Sequence, residues 1–196
     1  EPIFDSLSLD FDSFDIDDLE KAISKLRIDR SVKRVDSFRG GTKEAKSYLE
    51  IFLDSKLDRF PELRNDSSLD YVSHMSPYLH FGQISPLYIA LQVSKTGSPG
   101  IEAFLEEMII RRELSMNFVF YNEKYDSFEA IPDWAKKTLK AHQKDKRSYL
   151  YSLKELEGAK THDPYWNAAQ KEMVYSGKMH GYMRMYWGKK ILEWTK

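Results

Sequence analysis

Apolar residues along this chain recur at three- and four-residue spacing, and no segment of useful length alternates with period two. That is the signature of amphipathic helices without strands, and it predicts an all-α fold. From Asp15 to Leu26, the residues Ile16, Leu19, Ile23 and Leu26 share one face of a short helix. Arg39-Gly40-Gly41-Thr42 breaks the chain, and Thr42 is expected to cap a helix with Ala45, Tyr48, Leu49 and Phe52 on its apolar face. Pro61 and the polar run from Arg64 to Ser68 read as a loop. Ser76-Pro77 and Ser85-Pro86 each read as a hydroxyl cap followed by proline at the first helical position.

A turn cluster at 95–100 precedes a long helix from about Ile101 to Tyr121, whose apolar positions include Phe104, Met108, Ile109 and Phe118. Pro132 opens a helix reaching about His142, and Ser152 is placed to cap a short one. Asp163 caps a helix over Trp166–Tyr175, which Ser176-Gly177 ends. The last helix runs from about Met179 to Trp194.

Charge changes the picture. The 30 basic and 31 acidic residues nearly cancel, but residues 1–20 hold eight acids and no base. The rest carries 30 basic against 23 acidic groups, a net +7, so a basic body follows an acidic arm. Residues 1–35 are therefore expected to be an acidic interdomain linker with a short helix, and 36–196 the helical domain. Cysteine is absent, which excludes disulfides, thiolate nucleophiles and Cys-ligated metals. No run of 18 apolar residues occurs, and the start has neither Met nor a signal-peptide pattern. The expectation is a soluble intracellular chain, excerpted from something longer.

The candidate chemistry is unevenly distributed. None of the five histidines has metal-ligand spacing, so no metal site is expected. There is no nucleophile elbow and no glycine-rich phosphate loop. The stretch 71–86 is dense in hydroxyls and histidines and reads either as an anion cradle or as two ordinary N-caps. Glu107 and Arg111 are four apart and should face each other, as a surface pair or as part of a site. Lys136, Lys137, Lys140, Lys144, Lys146 and Arg147 form a basic run that suits a phosphate backbone or a solvated helix face. Trp187 and Trp194 are seven apart on one helix, with Trp166 on the helix before it. Three such indoles suit a core or a path for electrons.

Together these segments resemble the photolyase/cryptochrome family, and most closely its class II cyclobutane pyrimidine dimer photolyases. The resemblance is carried by SHMSPYLHFGQISP (73–86), FLEEMIIRRELSMNF (104–118), THDPYWNAAQKEM (161–173) and KMHGYMRMYWGKKILEWT (178–195), with GGTKEA (40–45) in support. It covers about residues 36–196 in the family's order. It implies the first part of a helical FAD-binding domain, whose reduced flavin, excited by light, passes an electron to a thymine dimer in DNA so that the cyclobutane ring splits. Photolyases are among the enzymes that take their target out of the base stack.

The resemblance also implies roles for individual residues. Ser73, His74, Met75 and Ser76 match the stretch holding the flavin's phosphates and ribityl chain. Phe104, Arg111 and Arg184 match flavin-pocket positions, Arg184 being the arginine that normally pairs with an aspartate beside the flavin. Glu107 matches the acid that hydrogen-bonds the dimer, and Met185 a methionine beside the lesion. Trp187, Trp166 and Trp194 match the class II electron-transfer triad, with Trp187 nearest the flavin. Lys140 and Lys144 are the candidate contacts to the DNA backbone. The expected partner is dimer-containing DNA bound by a monomer, with no membrane; the antenna chromophore stays unassigned. The alternatives are a cryptochrome-like flavin photoreceptor and a non-catalytic helical DNA-binding module.

Overall fold

The structure is a computed structural model that describes residues 17–196. Among the described residues every regular element is helical. The chain divides into two units between Arg34 and Val35. Most of the acidic arm, with Ile16, lies outside the described residues.

In the first unit the expected helix shortens to α1 (Leu19–Ser24). Asp18 accepts the Lys21 backbone N–H at its start, and Arg30 donates to the carbonyls of Ile23, Ser24 and Leu26 at its end. Its apolar stripe is not buried: Leu19 is 64% exposed, and Ile23 and Leu26 are also exposed. The helix is held by its caps, not by a core.

The second unit opens with α2 (Thr42–Ser55), which buries Ala45, Leu49 and Phe52 as the periodicity predicts. Thr42 does not cap it. Gly41 occupies the cap position at φ +117°, and its N–H is held by Gln83 Oε1 at 2.9 Å. A threonine side chain would strain that conformation, so the turn falls to glycine and Thr42 becomes the first helical residue. A 3₁₀ turn (Leu57–Arg59) leads into α3 (Phe60–Leu63), followed by α4 (Ser76–His80) and α5 (Pro86–Ser94). Ser85 caps α5 through the Tyr88 N–H. Ser76 does not cap α4. The chain turns through His74 at φ +56°, and Met75 takes the cap position without a side-chain bond.

α6 (Ile101–Leu105), a π-helical turn (Glu106–Arg111) and α7 (Arg112–Tyr121) form the expected long helix. Phe104 and Met108 are buried, but Ile109 and Phe118 are 42% and 47% exposed, contrary to the apolar reading of those positions. The π turn inserts an extra residue, which rotates the following positions off the buried stripe. α7 has no buried residue.

The rings of Phe52, Phe60 and Phe104 meet at centroid distances of 4.7–5.6 Å and anchor the core of α2, α3 and α6. Burying each such side chain contributes about 1.5–3 kcal/mol.

Downstream, α8 (Asp133–Ala141) is followed by α9 (Leu153–Glu157), α10 (Pro164–Ser176) and α11 (Gly181–Trp194). Asp163 caps α10 by accepting the N–H groups of Tyr165 and Trp166 at 2.8 and 3.0 Å. Its other oxygen accepts the Tyr186 hydroxyl from α11, so one carboxylate starts one helix and ties the next to it. That bond, with burial, pushes the Tyr186 hydroxyl up to about 12. Gly177 ends α10 in the left-handed conformation, at φ +74°. Leu156, Trp166 and Trp194 form a second core.

Gly100 is required by space and not by backbone conformation. A Cβ there would lie 1.9 Å from the Leu57 carbonyl oxygen. Gly100→Ala is expected to cost about 1–3 kcal/mol or more, read as a lower urea midpoint. Gly181→Ala, where nothing lies within 4 Å, is the control and should leave the midpoint near wild type.

Candidate functional site

A cavity of about 640 Å³ lies where three distant stretches of the second unit meet. The turn at 73–76 forms one wall, Phe104 to Arg111 a second, and the segment from Lys178 to Met185 a third. Ser73, His74, Met75, Ser76, Phe104, Glu107, Arg111, Arg184 and Met185 therefore share one cavity. Met75, Met108 and Met179 supply buried apolar surface to it.

The π turn sets the charge pattern of its wall. Glu107 and Arg111 do not pair, because the widened turn removes their four-residue alignment. Arg111 instead meets Glu106, five positions back, at 2.8 Å. Glu107 is taken by Arg64 from the loop after α3, at 2.5 Å. Sequence reading missed Arg64 because the pairing spans 43 residues and nothing in the local pattern marks it.

Lys178 was missed as well, although it begins one of the motif segments. Its ammonium sits 2.6 Å from His74 Nδ1. His74 Nε2 is 2.7 Å from Asp70, whose second oxygen is 2.8 Å from Lys56. Burial and the charge of Lys178 lower His74 from its ordinary value, which keeps the ring neutral, accepting from Lys178 and donating to Asp70. Burial pushes Asp70 up, but the hydrogen bonds from Lys56 and His74 outweigh it and hold the carboxyl below its usual range. Burial lowers Lys178 to about 8 against the opposing pull of Asp70 and Glu172. Among the described residues neither Lys178 nor Arg184 forms an ion pair, so the cavity wall carries two cations without a carboxylate of their own.

α11 faces two ways. Tyr182, Arg184 and Met185 line the cavity, while Tyr186, Trp187, Ile191 and Trp194 pack into the second core. Trp166 stacks on Trp187 with centroids 6.1 Å apart and planes at 9°, and meets Trp194 at 5.9 Å and 61°. The Trp166 N–H donates to the Trp187 carbonyl, and the Trp187 N–H donates to the buried Gln170 side chain at 2.9 Å. The spatial order is Trp187, Trp166, Trp194, which differs from the chain order. Lys140 and Lys144 are exposed and do not line the cavity. No helix among the described residues is long and apolar enough to cross a membrane.

The fold and this cavity define a helical domain of the photolyase type. The chain superposes on the crystal structure of a bacterial class III photolyase from Agrobacterium tumefaciens with a TM-score of 0.60, at 23% identity, over 78% of this chain and 31% of that one. No protein-family model matches. The chain is 56% identical over 191 residues to the deoxyribodipyrimidine photo-lyase of Methanothermobacter thermautotrophicus, covering 96% of this chain and 42% of that protein. It is 49% identical over 174 residues to the Potorous tridactylus protein of the same name, covering 87% of this chain and 33% of the relative. The corresponding rice protein is 52% identical over 148 residues, covering 74% of this chain and 29% of the relative. The chain belongs to the photolyase family and spans about two fifths or less of the length of these relatives.

The depressed Lys178 carries a pH signature. Below about 8 it is charged in both folded and unfolded chains. From there to the ordinary lysine range near 10.4 the unfolded chain holds a proton that the folded one has released, so stability rises with pH. Lys178→Met should remove this rise, seen by comparing urea midpoints of the two proteins below about pH 8 and near pH 10. An equal rise in both would place the lysine in solvent.

Proposed function

We propose that this chain is part of the FAD- and lesion-binding domain of a class II cyclobutane pyrimidine dimer photolyase. The whole protein is then a deoxyribodipyrimidine photo-lyase that repairs DNA with light. Residues 1–35 act as the tail of an interdomain linker and 36–196 as the first part of the catalytic helical domain. The observation that carries the reading is the convergence of three separate motif segments on one cavity with two unbalanced cations.

The donor set fits a folded flavin dinucleotide. A volume of about 640 Å³ falls within the few-hundred to thousand Å³ range of small-molecule and cofactor sites. Lys178 and the Ser73 and Ser76 hydroxyls suit a diphosphate and a polyol chain, and Phe104, Arg184 and the methionines suit an aromatic ring system. When bound, reduced FAD would supply the light absorption and the transferred electron.

The residues divide the remaining work. Ser73, His74, Met75 and Ser76 hold the phosphate and ribityl portion, with Phe104, Arg111 and Arg184 around the rings. Arg64 fixes Glu107 through Oε1, which leaves Oε2 to accept a hydrogen bond from the flipped dimer. Met185 packs beside the lesion. Trp187, Trp166 and Trp194 carry an electron to the cofactor when it must be reduced, Trp187 being nearest the flavin. Lys140 and Lys144 contact phosphates of the duplex.

Flavin absorbance of the purified full-length protein, with light-dependent loss of dimers from irradiated DNA, tests this reading; a colourless protein without that activity overturns it. Trp187→Phe should abolish photoreduction of oxidised flavin and leave repair by chemically reduced enzyme largely intact. Equal loss of both would remove the tryptophan from the electron path. Glu107→Ala should lower repair yield more than flavin content, as measured by quantum yield and absorbance ratio. Loss of flavin instead would make the residue structural.

A further inference from the structure

Lys178 stands on the cavity wall held by a neutral group. It is half-buried, and its Nζ lies over the Phe38 ring, 5.9 Å from the centroid. Its hydrogen-bond partner is His74 Nδ1 at 2.6 Å, whose other nitrogen donates to Asp70. Among the described residues no carboxylate lies within ion-pair distance of Nζ.

The charges that face it from the surrounding elements do not make good this lack. Asp70 faces it from the stretch before α4, but that carboxylate is already paired with Lys56 at the end of α2, at 2.8 Å. Lys56 itself opposes a charge on Lys178, as does Arg184 of α11. Glu172 of α10 favours the charge, but it is exposed and accepts the His180 backbone N–H at 3.1 Å. His180 is buried, shares a smaller cavity of about 240 Å³ with Lys178, and accepts the Tyr182 N–H on Nδ1.

The choice of an imidazole as partner has a chemical consequence. Nδ1 accepts an N–H from a neutral amine as well as from an ammonium, so Lys178 keeps its place in either protonation state. A carboxylate partner would instead have fixed the positive charge. Burial lowers Lys178 to about 8, against the pull of Asp70 and Glu172. An ionised diphosphate in the cavity would supply the missing opposite charge and favour the ammonium. The empty and the occupied site then differ in the proton they hold.

We propose that Lys178 is a proton-coupled grip for the diphosphate: as the ligand enters, the neutral amine takes a proton from solvent and holds the phosphate oxygens as an ammonium. The proposal rests on the flavin-dinucleotide reading above. In the step an N–H bond forms at Nζ, a buffer acid loses its proton, the diphosphate keeps its charge and nothing is oxidised. The direction follows from linkage. Below about 8 the empty site already holds the proton, and binding exchanges none at this residue. Above it, binding takes up about one proton, and affinity falls about tenfold per pH unit until the ordinary lysine range is reached.

The test is titration calorimetry of FAD into flavin-depleted full-length protein, in buffers of different ionisation enthalpy, at about pH 9 and about pH 7. Wild type should take up about one proton per FAD at the higher pH and none through this residue at the lower. Lys178→Arg carries a guanidinium that stays charged at both, so its uptake at the higher pH should vanish and its affinity should depend less on pH. No uptake in wild type near pH 9, or the same uptake in Lys178→Arg, overturns the proposal while leaving the flavin reading standing. Absence of FAD binding to wild type at both pH values overturns the flavin reading itself. Carbon-13 NMR of the lysine Cε, which reports the charge on Nζ, gives a readout that does not need the variant to bind. One resonance, missing from Lys178→Arg, should titrate near 8 in the flavin-depleted protein and move into the ordinary lysine range with FAD bound. The same titration with and without FAD would overturn the coupling.

Discussion

The bond between Lys178 and His74 joins side chains 104 residues apart, and the cavity depends on it. One partner stands on the turn before α4, the other on the loop between α10 and α11. The first belongs with the phenylalanine core, and the second leads into the tryptophan core. Where they meet, a half-buried ammonium is satisfied by a neutral imidazole, which is in turn held by Asp70 and Lys56. An ammonium partly withdrawn from water and left unpartnered would be costly, so the relay makes this charged wall tolerable. His74 adopts a left-handed backbone conformation to reach its place, a strain that non-glycine residues rarely accept unless the surroundings compel it.

The π turn at Glu106–Arg111 is the second device. A regular helix would have aligned Glu107 with Arg111 and closed both charges on each other. One inserted residue per turn sends Arg111 to Glu106 and turns Glu107 toward Arg64. Two acids and two bases are still paired, but on different partners, and a carboxylate is left at the cavity edge on a rigid element. α11 completes the arrangement. Its polar and methionine positions face the cavity while its indoles interlock with α10, so a shift of that helix would disturb both together. The Asp163–Tyr186 bond and the Trp166–Trp187 contacts resist such a shift.

Much of this was legible in the residues. The apolar stripe of α2, the Asp163 cap, the Gly177 stop and the Ser152 and Ser85 caps follow from local rules whose partners lie within four residues. The motif segments were likewise readable, because their residue types and order are unusual enough to be compared with a family. The errors share a cause. Thr42 and Ser76 were expected to cap because they carry hydroxyls, but Gly41 is bonded by Gln83 from far along the chain, and the left-handed turn at His74 moves the helix start by one residue. Ile109 and Phe118 were assigned to an apolar face on the assumption of an unbroken 3.6-residue period, which the π turn interrupts.

The sequence by itself determined the helices, the absence of thiol chemistry, the segregation of acid from base along the chain and the family. Those properties depend on composition and on spacing over a turn or two. Only the tertiary structure decided that Arg64 serves Glu107, that Lys178 closes on His74, and that Trp166 stands between Trp187 and Trp194. Each of these joins residues separated by 21 to 104 positions. At such separations contact is set by how helices pack, and packing responds to the summed fit of many side chains instead of to any local pattern.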